Sequence, residues 1–165
     1  MGNTGAIKRK LKVVEEKEEG REITNADLEN LDILGSLKVL TLSRDFPFTV
    51  DDIFQLGEIS QEIQILTAPY LQAKFMLINQ YGERNDKGEL EQPVPGQFRF
   101  HKHAIEFQKA FVELLSKKRI IKSEKLTIAK SNIPEGLLSA DDVGALKCVI
   151  DFVEKKEIKK EETDG

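Results

Sequence analysis

The sequence is poor in almost everything that signals enzymatic chemistry. Cys148 is its only cysteine, so an intrachain disulfide and a cysteine-rich metal site are both excluded and stability must come from packing. There is no G-x-x-x-x-G-K-[ST] phosphate loop, no G-x-S-x-G elbow and no H-E-x-x-H helix; Gly82, Gly88 and Gly96 stand too far apart to cradle a phosphate. No apolar run approaches the ~20 residues that cross a bilayer. The N-terminus lacks the apolar stretch of a secretory signal. The start Met1-Gly2-Asn3-Thr4-Gly5-Ala6 also lacks the Ser or Thr that a myristoylation signal places sixth. These absences predict a cytoplasmic protein, away from membranes, that carries no cofactor and no metal and is not an enzyme.

What is present suits one packed core. Over 165 residues, 39% are apolar and 33% are charged, a balance that supports a single interior beneath a solvated surface. The net charge of −4 is spread along the chain except at Lys8-Arg9-Lys10 with Lys12, which precede Glu15, Glu16, Glu18 and Glu19. The two blocks roughly neutralise each other. Phosphate binding needs a broad basic surface with stacking or base-reading groups, and no aromatic lies among these cations, so nucleic acid is not the expected partner. Residues 1–20 read as a flexible basic and acidic arm, 21–153 as one α+β domain, and 154–165 as a charged tail too polar to order itself.

Three helix starts use the same device, a Ser or Thr hydroxyl that caps a free backbone N–H with an acid three residues on: Thr24 with Asp27, Thr49 with Asp52, and Ser139 with Asp142. The first opens a short helix with Leu28, Leu31 and Leu34 inward, stopped by Gly35. Leu37 to Leu42 is β-rich and reads as a short strand, with continued helix as the alternative. Phe46-Pro47-Phe48 forces an extended turn. The second helix dominates: Leu56, Ile59, Ile63, Leu66, Tyr70, Ala73 and Leu77 recur at steps of three and four and draw one apolar stripe. Pro69 falls within it and predicts a kink near Thr67 and Ala68.

Tyr81-Gly82 ends that helix, and Asn85-Asp86-Lys87-Gly88 and Pro93-Val94-Pro95-Gly96 carry turn chemistry. Phe98-Arg99-Phe100 reads as a brief strand. Ala104, Phe107, Phe111 and Leu114 then mark a helix that folds back antiparallel on the first, as a helical hairpin. Leu126 and Ile128 alternate as a strand, and the last helix is expected to turn Val143, Leu146, Ile150 and Val153 inward. The fold class is therefore α+β: a kinked long helix and its partner, short flanking helices and a small β-sheet.

Candidate chemistry is sparse. His101 and His103 form an H-x-H pair that, with Glu106 one turn on, could supply three metal ligands, although exposed polar residues before a helix need no metal. Cys148 lies off the inward stripe between Lys147 and Asp151, more a bystander than a nucleophile. The pairs Asp51-Asp52 and Asp141-Asp142 are explained by their places in first helical turns. The apolar stripes are mostly core, yet nine phenylalanines leave room for an exposed patch that meets a partner.

Several segments together resemble a group of small, uncharacterised proteins encoded by tailed bacteriophages and prophages. They are Ile23-Thr24-Asn25-Ala26-Asp27-Leu28 with Leu31 and Leu34, a long helix ending Ile78-Asn79-Gln80-Tyr81-Gly82-Glu83, the turn Asn85-Asp86-Lys87-Gly88-Glu89, and Leu138-Ser139-Ala140-Asp141-Asp142-Val143. Pro69 and the basic N-terminal extension depart from that pattern. The resemblance implies phage origin and supplies no catalytic residues. With it, the expected role is an accessory protein that binds another phage protein in particle assembly or within the virion. The alternatives are a protein that binds and redirects a host factor, and an enzyme. Because the stripe from Leu56 to Leu77 outruns its partner helix, its remainder is either covered by the short N-terminal and C-terminal helices, giving a monomer, or left as an uncovered end that favours a homodimer, the outcome expected here.

Overall fold

In the computed structural model, residues 19–154 are described; the basic N-terminal arm and nearly all of the charged tail lie outside them. The elements in chain order are β1 (Arg21–Thr24), α1 (Asn25–Leu34), α2 (Ser36–Leu42), α3 (Val50–Tyr81), α4 (Ala104–Leu115), β2 (Lys118–Ile121), β3 (Leu126–Ala129), α5 (Ala140–Leu146) and β4 (Ile150–Val153). Single 3-10 turns at His101–His103 and Lys130–Asn132 lead into α4 and out of β3. The class is α+β, with two separate two-stranded sheets.

All three capping boxes form. Thr24, Thr49 and Ser139 each accept from the backbone N–H three residues on, and Asp27, Asp52 and Asp142 reach back to the cap N–H. This satisfies donors that a helix start otherwise leaves unpaired. Gly35, at φ 62, ends α1 in the left-handed conformation and is at once the first flank of α2.

That glycine joint accounts for one correction. Leu37 to Leu42 is helix rather than strand: Ser36 and Leu40 are buried, Leu37 is half-buried, and Lys38, Thr41 and Leu42 face out. The inward spacing is therefore helical, and packing against the rest of the fold overrides the β preference of Val39 and Thr41. Leu34, expected inward, stands at the rim of α1 and is 39% exposed.

The long helix α3 runs for 32 residues with Pro69 inside. A proline there costs ~3 kcal/mol. Burial of Leu56, Ile59, Ile63 and Tyr70 on the expected stripe offsets it, at about 1.5–3 kcal/mol for each fully buried large side chain. Near the proline the helix also gains an outside partner, since the Leu66 carbonyl accepts from Arg119 Nη1 at 3.1 Å.

The hairpin is antiparallel. Tyr81, the last residue of α3, lies 6.4 Å ring to ring from His103 at the start of α4. Further back along α3, Lys74 Nζ sits 5.7 Å from the Phe111 ring, deep in α4. Between the helices, the chain around Glu83, Glu91 and Arg99 closes a cycle of backbone hydrogen bonds: Glu83 N–H to Arg99 O (2.8 Å), Arg99 N–H to Glu91 O (3.3 Å) and Glu91 N–H to Glu83 O (2.8 Å). Phe98-Arg99-Phe100, expected as a strand, is thus a loop whose Arg99 is tied by this cycle.

The sheets contain the remaining corrections. β1 pairs antiparallel with β2, Arg21 opposite Ile121 and Thr24 opposite Lys118, although the sequence reading had neither strand. β3 pairs parallel with β4, Leu126 opposite Ile150 and Ala129 opposite Val153. Ile150 and Val153 therefore belong to a strand, not to the last helix, which ends at Leu146. A parallel pair needs a crossover, and α5 provides it.

One apolar core unites these pieces. Leu28 of α1, Leu40 of α2, Ile59 of α3, Ile121 of β2, and Leu146 and Val149 around the end of α5 are each 0% exposed. The stripe on α3 is covered inside one chain: α1, β2 and β3 as well as α4 pack against α3. Ile63 and Tyr70 on this stripe are 6% and 1% exposed, while Leu66, Ala73 and Leu77 are half-buried.

Candidate functional site

The residues that looked most chemical do not converge. His101 adopts φ 34. Its Nε2 faces Glu91 Oε2 at 3.8 Å, whereas His103 Nδ1 contacts Glu106 Oε2 at 2.9 Å. The 3-10 turn thus sends the two imidazoles to different carboxylates, and of the expected trio only His103 and Glu106 meet. Among the described residues, no group of three or more His, Cys, Asp and Glu side chains is placed to hold a metal ion.

Cys148 is half-buried, and its Sγ donates to the Ala145 carbonyl at 3.3 Å. Burial, reinforced by the negative charge of Asp27, pushes the thiol up to about 11 despite Arg21 and Lys125 nearby. It is therefore protonated at neutral pH and a weak nucleophile. Asp142 does more than cap α5: one oxygen accepts from the Ser36 hydroxyl at 2.6 Å, joining the starts of α2 and α5 through one carboxylate. The Ser36 hydroxyl, then the Ser139 backbone N–H, holds this carboxyl below the usual aspartate range.

Three polar clusters, none apparent from the sequence, fasten the elements to one another. Glu29 on α1 is 8% exposed. It accepts from the Tyr70 phenol and from Lys74 Nζ, the latter at 2.6 Å, both on α3. Asn25 donates through Nδ2 to the Leu114 carbonyl at 2.8 Å and accepts from Arg119 Nη1 at 3.1 Å, the same nitrogen that reaches Leu66. Glu62 on α3 accepts from the backbone N–H groups of Lys122 and Ser123 and from the Ser123 hydroxyl. Each ties residues remote in sequence, which is why local patterns of three and four residues give no sign of them.

An open groove of about 650 Å³ lies between α1, α2 and α3. Its apolar lining comes from Leu31, Leu37, Ile63, Ala68 and Leu71, with Asp32, Lys38, Gln64 and Thr67 as polar neighbours. Ser60 also lines it, and its buried hydroxyl has no hydrogen-bond partner. The groove follows from the fold: α2 starts immediately after Gly35 and leaves a cleft beside α3. An apolar trough with a few polar groups suits an apolar side chain of a ligand or of a docked polypeptide. The sequence reading anticipated an exposed apolar patch in general terms. It could not place one here because Leu37 was assigned to a strand.

Among the described residues, no helix is long and apolar enough to cross a membrane. Set against protein-family models, curated proteins and solved structures, the chain matches none of them.

Proposed function

We propose that this chain is a phage-encoded accessory protein that works by binding another protein during particle assembly or as a minor virion component. The observation that carries the binding part is the open groove beside α3, with its apolar floor and polar neighbours. The occupant that fits is an apolar segment of a polypeptide, its side chains against Leu71 and Leu37 and its polar groups toward Gln64 and Thr67. The assembly setting comes from the resemblance of the capped helices and the polar turn to small tailed-phage proteins.

Mass spectrometry of purified virions and of assembly intermediates tests the setting. The protein is expected in at least one of the two fractions. Absence from both, with recovery only on a host protein, would instead make it a factor that redirects its host.

A further inference from the structure

The side of α3 turned away from the core is unusually apolar. Phe54, Ile65 and Met76 stand at equal intervals of about three helical turns along it, and are 69%, 67% and 63% exposed. Val50 and Phe75 flank the row and are also exposed. Between them lie Gln61, Ala68, Pro69 and Gln72, with Glu58 the charge along the row and Asp51 beyond Phe54 at its end. Solvent-facing sides of surface helices are ordinarily charged, so such a row marks a contact surface.

Its pattern selects the partner. We propose that this face of α3 pairs with the same face of a second copy, antiparallel about a two-fold axis at Ile65. The spacing is symmetric about Ile65, so reversing the helix lays Phe54 over Met76 of the other copy twice, a favourable sulfur–aromatic pairing. Ile65 meets its own counterpart on the axis, as a two-fold interface requires. Glu58 falls opposite Gln72, an amide that can donate to it, so the two Glu58 side chains do not meet. A parallel pair would instead set Glu58 against Glu58. The row spans roughly 33 Å of helix about 10 Å wide, or about 700 Å² over the two copies. That is below the ~1,200 Å² of a standard stable interface, so the pair is weak and concentration-dependent. Its anchors Phe54, Ile65 and Met76 do not line the groove, and Ala68 is the residue named in both surfaces.

Sedimentation velocity of the purified full chain, from about 1 µM to several hundred µM, tests the pairing. The mass is expected to rise from 18.7 kDa toward twice that value. Ile65→Asp, which sets two carboxylates against each other on the axis, should weaken association at least tenfold. Ile65 is exposed, so circular dichroism and the melting temperature should not change. Gln72→Lys reads the orientation: opposite Glu58 in the antiparallel pair it should tighten the dimer several-fold, whereas a parallel pair would bring the introduced lysines together and loosen. A monomer at every concentration, a dimer indifferent to Ile65→Asp, or a dimer loosened by Gln72→Lys would each overturn the proposal. A monomer whose α3 face is protected from hydrogen exchange only by a different added protein would overturn it too.

Discussion

Glu29 is the residue on which three helices meet. Its carboxylate, on α1, takes the Tyr70 phenol and the Lys74 ammonium from α3, and that ammonium also lies over the Phe111 ring of α4. Burial first, then the hydrogen bond and charge of Glu29, holds the Tyr70 phenol above the ordinary tyrosine range. A raised pKa means that the folded state binds this proton more tightly than the unfolded chain does. The contribution to stability is therefore whole below about pH 10 and is lost as pH climbs through the raised value. Tyr70→Phe keeps the ring in its buried place but removes one of the two donors to Glu29. It should lower stability by about 1–3 kcal/mol in urea unfolding at neutral pH, and the variant should lose less stability than the parent on further alkalinisation. Equal midpoints for the two proteins would show that the hydroxyl is not a fastener. The sequence marked Tyr70 correctly as inward, since its stripe is a matter of spacing. It gave no sign of Glu29, whose partners lie more than 40 positions away.

The helices were legible as elements because their signals are local. A capping hydroxyl, an acid three residues later and a left-handed glycine act within one turn, and each of the three boxes read from the sequence forms. Strands fared worse, because strand identity depends on a distant partner. Ile150 to Val153 lies flat beside Leu126 to Ala129, and only that pairing distinguishes it from a continued helix. The same dependence hid β1 and β2. The loop after β2 shows how such an element is held: the carboxylate of Glu62 on α3 gathers the backbone N–H groups of Lys122 and Ser123. Burial pushes the Glu62 carboxyl up, but the Ser123 hydroxyl, the two backbone N–H groups and the Lys122 charge together bring it below the usual glutamate range. Its stabilising contribution is thus present above about pH 4 and is lost as the pH falls through the lowered value. Glu62→Gln should reduce the urea midpoint at pH 7 and flatten its decline between neutral and acidic pH. An acid decline as steep as that of the parent would remove Glu62 from this role.

At the scale of the molecule, α3 divides the protein into a sealed side and an open one. Its inner stripe is consumed by the core, whereas its flank toward α2 borders the groove and its outer row stays apolar and exposed. The inner stripe was readable because burial follows the period of the helix. The open surfaces were not, because an exposed Phe54 or Leu71 is recognised as unusual only once the core has been assigned. The binding claim rests on the groove, and affinity capture from cells that produce the protein tests it most directly, with the parent chain compared with Leu71→Asp, Gln64→Arg and Ile65→Asp. Gln64 is exposed, so Gln64→Arg blocks the groove without disturbing the core. The account predicts one partner polypeptide captured by the parent and by Ile65→Asp and lost at least tenfold from both groove variants, all four chains having the same helical content. Equal capture by all four, or a partner lost only with Ile65→Asp, would contradict it.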